Sequence, residues 1–259
     1  MFRFGIKEKV AVVAGAAGDI GRAIVQELLK EGCYVVATGT RMEKLEKTFS
    51  GMQDAFNPEK LRLVQMCIES PEDIDRAIDQ VDAWFGRIDI LINSAGILCR
   101  KSFFETEHAD METSYNVNLI GAFDLAKKTA AVMKRANAGT IILIGSQNGF
   151  TAIENRIAYA STKAALTMMT KSMALELAPY GITVNMVAPG IVDSSMALER
   201  LNSLEIRKRY EDSIPLKRLV SPLDCANCVL FMASPLASAV TGTSLLVDCG
   251  LLLRQSLPR

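Results

Sequence analysis

The chain has 259 residues, with 29 Lys and Arg against 29 Asp and Glu, six cysteines and a single histidine, His108. One histidine excludes a two-His zinc centre or acid–base pair, and a Ser-His-Asp hydrolase would have to run through His108 alone. Zero formal net charge argues against a strongly basic nucleic-acid binder, and a composition 49% hydrophobic and 22% charged belongs to a folded globular chain.

In chain order, Met1 to Lys9 is charged. The first apolar run, Val10 to Ala17, is broken by Gly15 and followed by Asp19. It is too short for a signal core or a membrane span, so a cytoplasmic protein with reduced thiols is expected, with no membrane partner. Short runs rich in Val, Ile and Leu then recur at Val10–Ala14, Tyr34–Thr38, Leu61–Cys67, Ile88–Asn93, Thr140–Gly145, Thr183–Ala188 and Ser244–Val247. They lack polar alternation, as strands buried on both faces do. Between them, Ile20–Glu31, Glu72–Phe85, Tyr115–Arg135 and Ala158–Ala178 carry apolar residues at helical spacing. The alternation predicts an α/β, doubly wound parallel sheet of about seven strands, a Rossmann fold in a single domain over residues 1–259. The longest non-strand segment, 189–221, is expected to be a substrate lid. Cys225 and Cys228 form a lone CxxC inside the apolar pattern Asp224 to Ala233, which reads as core packing rather than a metal or redox site.

The first strand runs into Gly15-Ala-Ala-Gly18-Asp19-Ile20-Gly21. Glycines there permit a tight turn and close approach of a pyrophosphate, and the following helix N-terminus offers free N–H groups. The fourth strand ends in Asn93-Ser94-Ala95-Gly96, small residues that leave room for a ring. After the second strand comes Thr38-Gly39-Thr40-Arg41, with no acid to meet a ribose 2′-hydroxyl. Arg41 suits a 2′-phosphate instead, so NADP(H) is favoured over NAD(H). Tyr159 and Lys163 stand at i and i+4, one helical turn apart, and a neighbouring ammonium is expected to lower the phenol's pKa toward neutrality. Ser146 follows the fifth strand directly. Asn118 interrupts a helical pattern, where an amide needs buried partners such as a water chain.

On these motifs the chain resembles the short-chain dehydrogenases/reductases from about Lys7 to Gly250. The resemblance implies a tetrad in which Tyr159 exchanges the proton with the substrate oxygen. Lys163 lowers its pKa and binds the nicotinamide ribose, Ser146 orients the carbonyl, and Asn118 holds a relay water. It also places Pro189, Gly190 and Val192 at the cofactor, after the sixth strand. Gln147, Asn148, Phe150, Asn155 and Met196 are expected on the substrate side. Helices Tyr115–Arg135 and Ala158–Ala178 would pair across two-fold axes in a homotetramer. The chain departs from the family pattern at Ala14, Asp19, Cys67, Ser94 and Cys249; Asp19 is expected to point away from the pyrophosphate. The implied reaction interconverts a secondary alcohol and a ketone. The substrate is a small hydroxylated molecule, a sugar acid or polyol, as in gluconate and polyol dehydrogenases. The alternative is 3-oxoacyl-carrier-protein reduction, and a remote one is a non-catalytic dinucleotide-binding protein. No metal is expected. His108 is placed on a solvated loop or helix start, Met168, Met169 and Met173 in core and interface packing, and 205–209 on a solvated helix face.

Overall fold

The computed structural model describes residues 4–52, 56–198 and 203–253. Strands β1 (Val10–Ala14), β2 (Tyr34–Gly39), β3 (Leu61–Gln65), β4 (Ile90–Asn93), β5 (Gly139–Ile144), β6 (Ile182–Pro189) and β7 (Ser244–Val247) form one parallel sheet. Their order is β3-β2-β1-β4-β5-β6-β7. The helices are α1 (Asp19–Lys30), α2 (Met42–Phe49), α3 (Pro71–Phe85), α4 (His108–Tyr115), α5 (Gly121–Ala136), α6 (Ile157–Leu177), α7 (Ser195–Leu198), α8 (Leu204–Ser213) and α9 (Pro222–Ala233).

The strand period of two sends successive side chains to opposite faces. Val10, Val12 and Ala14 join Ile74, Ile78 and Val81 of α3 and Leu125 of α5 in one core. Ala11 and Val13 join Ile24, Val25 and Leu28 of α1 and Val229 and Leu230 of α9 in the other. Burial on both faces is why these strands read as unbroken apolar runs. Strand β1 lies between β2 and β4, so the chain reverses its winding direction there. A crevice opens beyond the carboxyl ends of β1 and β4, where Ala14 is paired with Asn93.

The helix expected to start at Tyr115 starts earlier, and its course is broken. Helix α4 opens at His108, where the Asp110 carboxylate accepts the Glu107 backbone N–H at 2.9 Å. This first turn is polar and carries no apolar stripe, so end-capping and not periodicity marks its start. A single π turn, Asn116–Ile120, then joins α4 to α5. Such turns widen the helix and often mark functional sites; this one carries Asn118.

Segment 189–221 is not an irregular loop. Residues 199–202 lie outside the described ones, and the rest contains α7 and α8. Its two ends are stitched together by a parallel bridge, Val192 with Val220, and by Asp193 N donating to Val220 O at 2.8 Å. In the 205–209 cluster Lys208 is exposed, but Arg207 turns inward. Its guanidinium bonds both Asp193 oxygens, at 3.0 and 2.5 Å, and Glu211 at 3.0 Å. Expecting a wholly solvated face there is therefore wrong: the pairing of Arg207 depends on a neck that only the tertiary fold creates. Cys225 is buried between Val192 and Val220, and burial pushes its thiol up to about 12, the reverse of an activated CxxC. Among the methionines of α6, Met169 and Met173 pack on the core and Met168 is exposed.

Gly121 seats the π turn. A Cβ there would lie 2.2 Å from the Ile68 carbonyl oxygen. Gly121→Ala should therefore cost about 1–3 kcal/mol of stability by overpacking, read as a lowered urea midpoint at unchanged m-value.

Candidate active site

A cleft of about 600 Å³ lies at the switch point. Its floor is the turn after β1. Gly15 has φ +70°, and a Cβ there would stand 2.5 Å from Ala95 N; a Cβ on Gly21 would stand 2.3 Å from Gly15 O. Both positions exclude side chains, as the motif requires. Gly21 thus serves packing and does not line the cleft; Gly15, Gly18, Asp19 and Ile20 do line it. Gly18 caps α1, leaving first-turn N–H groups free for an anion. Asn93 is buried beneath the cleft, its Oδ1 accepting Ala95 N at 3.0 Å, so it shapes the Ala95-Gly96 turn. The glycine cradle, the open helix end and the small residues at 94–96 fit a dinucleotide.

Asp19 lines the cleft, and its carboxylate is held by another element of that lining. Its Oδ2 accepts the Ser195 backbone N–H at 2.8 Å and the Ser195 hydroxyl at 2.7 Å. On the other side of α7, Arg100 donates to Met196 O at 3.2 Å. The short helix is thereby clasped between the glycine loop and the loop after β4.

Beyond β2, exposed Thr40 and Arg41 line the cleft, and so does Lys44, one turn into α2, which the sequence reading missed. Residues Met66, Ile68 and Glu69 after β3 complete this end. The carboxyl end of β6 contributes Pro189, Gly190 and Val192; a Cβ on Gly190 would meet Asp248 Cα at 2.8 Å.

At the opposite end three parts of the chain converge. Ser146 stands two residues beyond the end of β5 and opens a short 3-10 turn, its hydroxyl oxygen accepting Asn148 N at 3.1 Å. The Tyr159 hydroxyl lies near that of Ser146 in the same cleft. Tyr159 and Lys163 stand on one face of α6, with Lys163 Nζ 5.6 Å from the Tyr159 ring centre. Lys163 is buried and donates to Ile144 O at 3.0 Å, and burial brings its pKa down to about 8. Burial also raises the Tyr159 pKa, opposed by the neighbouring Ser146 hydroxyl and by the nearby Arg156 guanidinium. The expected lowering by Lys163 is thus not what this geometry produces: burial raises the phenol's pKa, and the ammonium bonds the Ile144 carbonyl and not the phenol.

Asn118 is buried, and its amide is already engaged. Oδ1 accepts Ile97 N at 2.8 Å, and Nδ2 donates to Ile97 O at 3.0 Å and Thr162 Oγ1 at 3.2 Å. It braces the β4–α4 loop against α6, a role other than that of a free water ligand. Gly96 fits between, since a Cβ there would stand 3.1 Å from Asn118 Oδ1 and 3.6 Å from Lys163 Nζ. Gln147, Asn148 and Met196 line the cleft as expected. Phe150 and Asn155 fall outside the cleft lining: Phe150 is 43% exposed, and Asn155 sits in an exposed left-handed turn at φ +60° before α6. Ile153 and Arg156 take their place. Arg156 was findable, because 156, 159 and 163 follow helical spacing. No helix among the described residues is long and apolar enough to cross a membrane, and no cluster of His, Cys, Asp or Glu among them could hold a metal.

The chain matches the family described as enoyl-(acyl carrier protein) reductase over residues 15–252. It is 37% identical to the 3-oxoacyl-[acyl-carrier-protein] reductase FabG of Aquifex aeolicus, covering 95% of this chain and 98% of that one. It is 30% identical to the NAD-dependent glycerol dehydrogenase of Listeria innocua, over 95% of each. A gluconate 5-dehydrogenase from Burkholderia cenocepacia, solved with NADP and tartrate, superposes with TM-score 0.91 at 28% identity, covering 98% of both chains. A single-residue variant of actinorhodin polyketide ketoreductase, solved with NADPH, gives 0.89 at 29%, covering 94% of this chain and 97% of that one.

A buried ammonium penalises the folded state. Below about pH 8 Lys163 is charged in both states and the penalty is full. Between about 8 and its ordinary 10.5 the unfolded chain binds the proton that the folded chain has released, so stability from this group rises with pH. Lys163→Met should therefore raise the stability of the cofactor-free protein by about 1–3 kcal/mol at pH 7, after loss of the bond to Ile144 O. It should also remove the rise above pH 8. Urea titrations at pH 7 and 9.5 test both.

Proposed function

The chain belongs to the short-chain dehydrogenase/reductase family and is an NAD(P)-dependent oxidoreductase acting on CH–OH and C=O groups. From that premise we propose that it interconverts a secondary alcohol and a ketone on a small hydroxylated substrate, a sugar acid or polyol, and prefers NADP(H). The observation that carries this reading is the meeting of Ser146, Tyr159 and Lys163 in one cleft, beside buried Gln147 and Asn148. The dinucleotide, when bound, supplies the hydride acceptor or donor.

In oxidation Tyr159 takes the substrate hydroxyl proton as the hydride leaves the carbinol carbon; in reduction it returns the proton to the carbonyl oxygen. Ser146 donates to the same oxygen and sets its position. Lys163 holds positive charge one helical turn from Tyr159, on the ribose side of the cleft. Asn118 is a positioning residue. It fixes the loop beside Lys163, where a relay water would connect to solvent. The cofactor end is held by Gly15, Gly18, Asp19, Ile20, Thr40, Arg41, Ala95, Gly96, Pro189, Gly190 and Val192, over the framework of Gly21 and Asn93. Segment 189–221, with its stitched neck and clasped α7, serves as the lid.

The NADP(H) preference is supported by Arg41 and Lys44. They line the cleft beyond β2 with no ion pair among the described residues. Solved relatives carrying NADP or NADPH also support it. The second reading, reduction of a 3-oxoacyl group on a carrier protein, is favoured by the 37% identical relative. Exposed Ile120 and Phe123 near the start of α5, and Met168 and Leu175 on α6, support a homotetramer. The cytoplasm remains the proposed compartment.

Tyr159→Phe should bind dinucleotide nearly as wild type and lose turnover by roughly 100-fold or more. Retained turnover at 340 nm over a carbonyl and alcohol panel would remove Tyr159 from the chemistry. Dinucleotide binding by the wild type without turnover of any panel member would favour a non-catalytic binding protein. Arg41→Ala and Lys44→Ala should each weaken NADPH by about 5- to 50-fold and NADH several times less, by fluorescence titration; equal losses would refute the preference.

A further inference from the structure

The backbone that follows Ser146 is held on two sides. It runs as a 3-10 turn over Gln147–Gly149. Gly149 N donates to Ser146 O at 3.0 Å, and the Gln147 carbonyl accepts Phe150 N at 2.9 Å and Thr151 N at 3.2 Å. The turn is also seated on α6: a Cβ at Gly149 would stand 2.8 Å from Lys163 O and 3.0 Å from Thr167 Oγ1. The main chain of Gln147 is therefore fixed against the helix that carries Tyr159 and Lys163.

The side chain is not served in the same way. Gln147 is 4% exposed and lines the cleft, yet its Oε1 has no hydrogen-bond partner among the described residues. A buried acceptor without a donor is disfavoured, and the pinned turn gives it no route back to water. Such an atom calls for a donor from whatever fills the cleft. An ammonium on the ligand would be repelled by buried Lys163 in the same lining. A hydroxyl suits the amide in either of its orientations, because it both donates and accepts. The place of that hydroxyl follows from the chain. Consecutive Cα atoms stand about 3.8 Å apart, so Ser146 and Gln147, both lining the cleft, address oxygens on neighbouring carbons.

We infer that Gln147 is a specificity residue that reads a second hydroxyl, on the carbon next to the reacting one. The substrate is then a vicinal diol in oxidation and an α-hydroxy ketone in reduction. Ser146 and Tyr159 hold the reacting oxygen, and the Gln147 amide holds its neighbour. This rests on the reading of a small hydroxylated substrate and deepens it: the second hydroxyl is required, and its position is fixed. A 3-oxoacyl group carries no hydroxyl at that position.

Pairs differing by that one hydroxyl test it: butane-2,3-diol against butan-2-ol, cyclohexane-1,2-diol against cyclohexanol, and the matching ketones in reduction. Turnover by the full-length enzyme with NADP(H) is followed by absorbance at 340 nm. The wild type should favour the hydroxylated member by at least roughly tenfold in kcat/KM. Gln147→Met replaces the amide by an apolar chain of similar length. It should cut kcat/KM on hydroxylated members by roughly 10- to 100-fold and on plain members several times less. Gln147→Glu keeps an acceptor and should retain a higher ratio than the Met variant. A measurement without substrate separates this from a structural role. The Met variant removes a buried acceptor that lacks a donor, so the urea midpoint of the ligand-free enzyme should rise. A lowered midpoint would show that the fold itself uses the amide and would overturn the inference. A loss of NADPH affinity as large as the loss in kcat/KM would assign Gln147 to the dinucleotide and overturn it as well. Equal turnover of both members of each pair by the wild type, or equal losses in the Met variant, would overturn the hydroxyl assignment and leave the alcohol–ketone reading standing. Failure of every pair to react would overturn both, and turnover of a 3-oxoacyl thioester would then identify the second reading.

Discussion

The arrangement of this site depends on keeping one ammonium out of water. Lys163 is buried on α6, with its pKa brought down to about 8. A buried cation is tolerated only where nearby dipoles stand in for solvent. Here the Ile144 carbonyl supplies one, at the end of β5 and two residues before Ser146. That bond ties the helix carrying Tyr159 to the strand that leads to Ser146, so the two oxygen-handling groups are set by the same contact. Gly96 leaves the space beside the ammonium, and Asn118 bonds Ile97 and Thr162 to hold that space open.

The π turn follows from the same constraint. An uninterrupted helix from His108 would set Asn118 in a different rotation relative to α6. The widened turn lets one buried amide meet the backbone of Ile97 and the hydroxyl of Thr162 together. Gly121 then lets the next helix approach Ile68 at a distance closed to any side chain. Departures from the family pattern are absorbed locally. Asp19 acquires a partner in Ser195. Cys249 occupies a left-handed position at φ +55°, where glycine is favoured.

Charge is distributed as unevenly as polarity. The chain is formally neutral, yet Arg41 and Lys44 stand at one end of the cleft and Arg100, Arg156 and Lys163 at the other. Arg41 and Lys44 stand at the end of the cleft proposed to take the dinucleotide's adenosine phosphate. The single histidine stays at the exposed start of α4, away from this chemistry.

The sequence by itself determined the sheet, because strands buried on both faces must be continuous apolar runs and the helices between them must be amphipathic. It determined the glycine turn, Ser146 after β5 and the Tyr159–Lys163 spacing, because each is a local pattern of a strand end or a helix face. It did not show α4, whose polar first turn has no apolar period, or the engagement of Asn118, whose partners lie 21 and 44 residues away. Nor did it place Phe150 and Asn155 outside the cleft, or Ile153 and Arg156 within it, since the turn leading into α6 decides that. Only the tertiary structure sets such contacts. They depend on which loops meet at the ends of neighbouring strands, and on how much water is excluded where they meet.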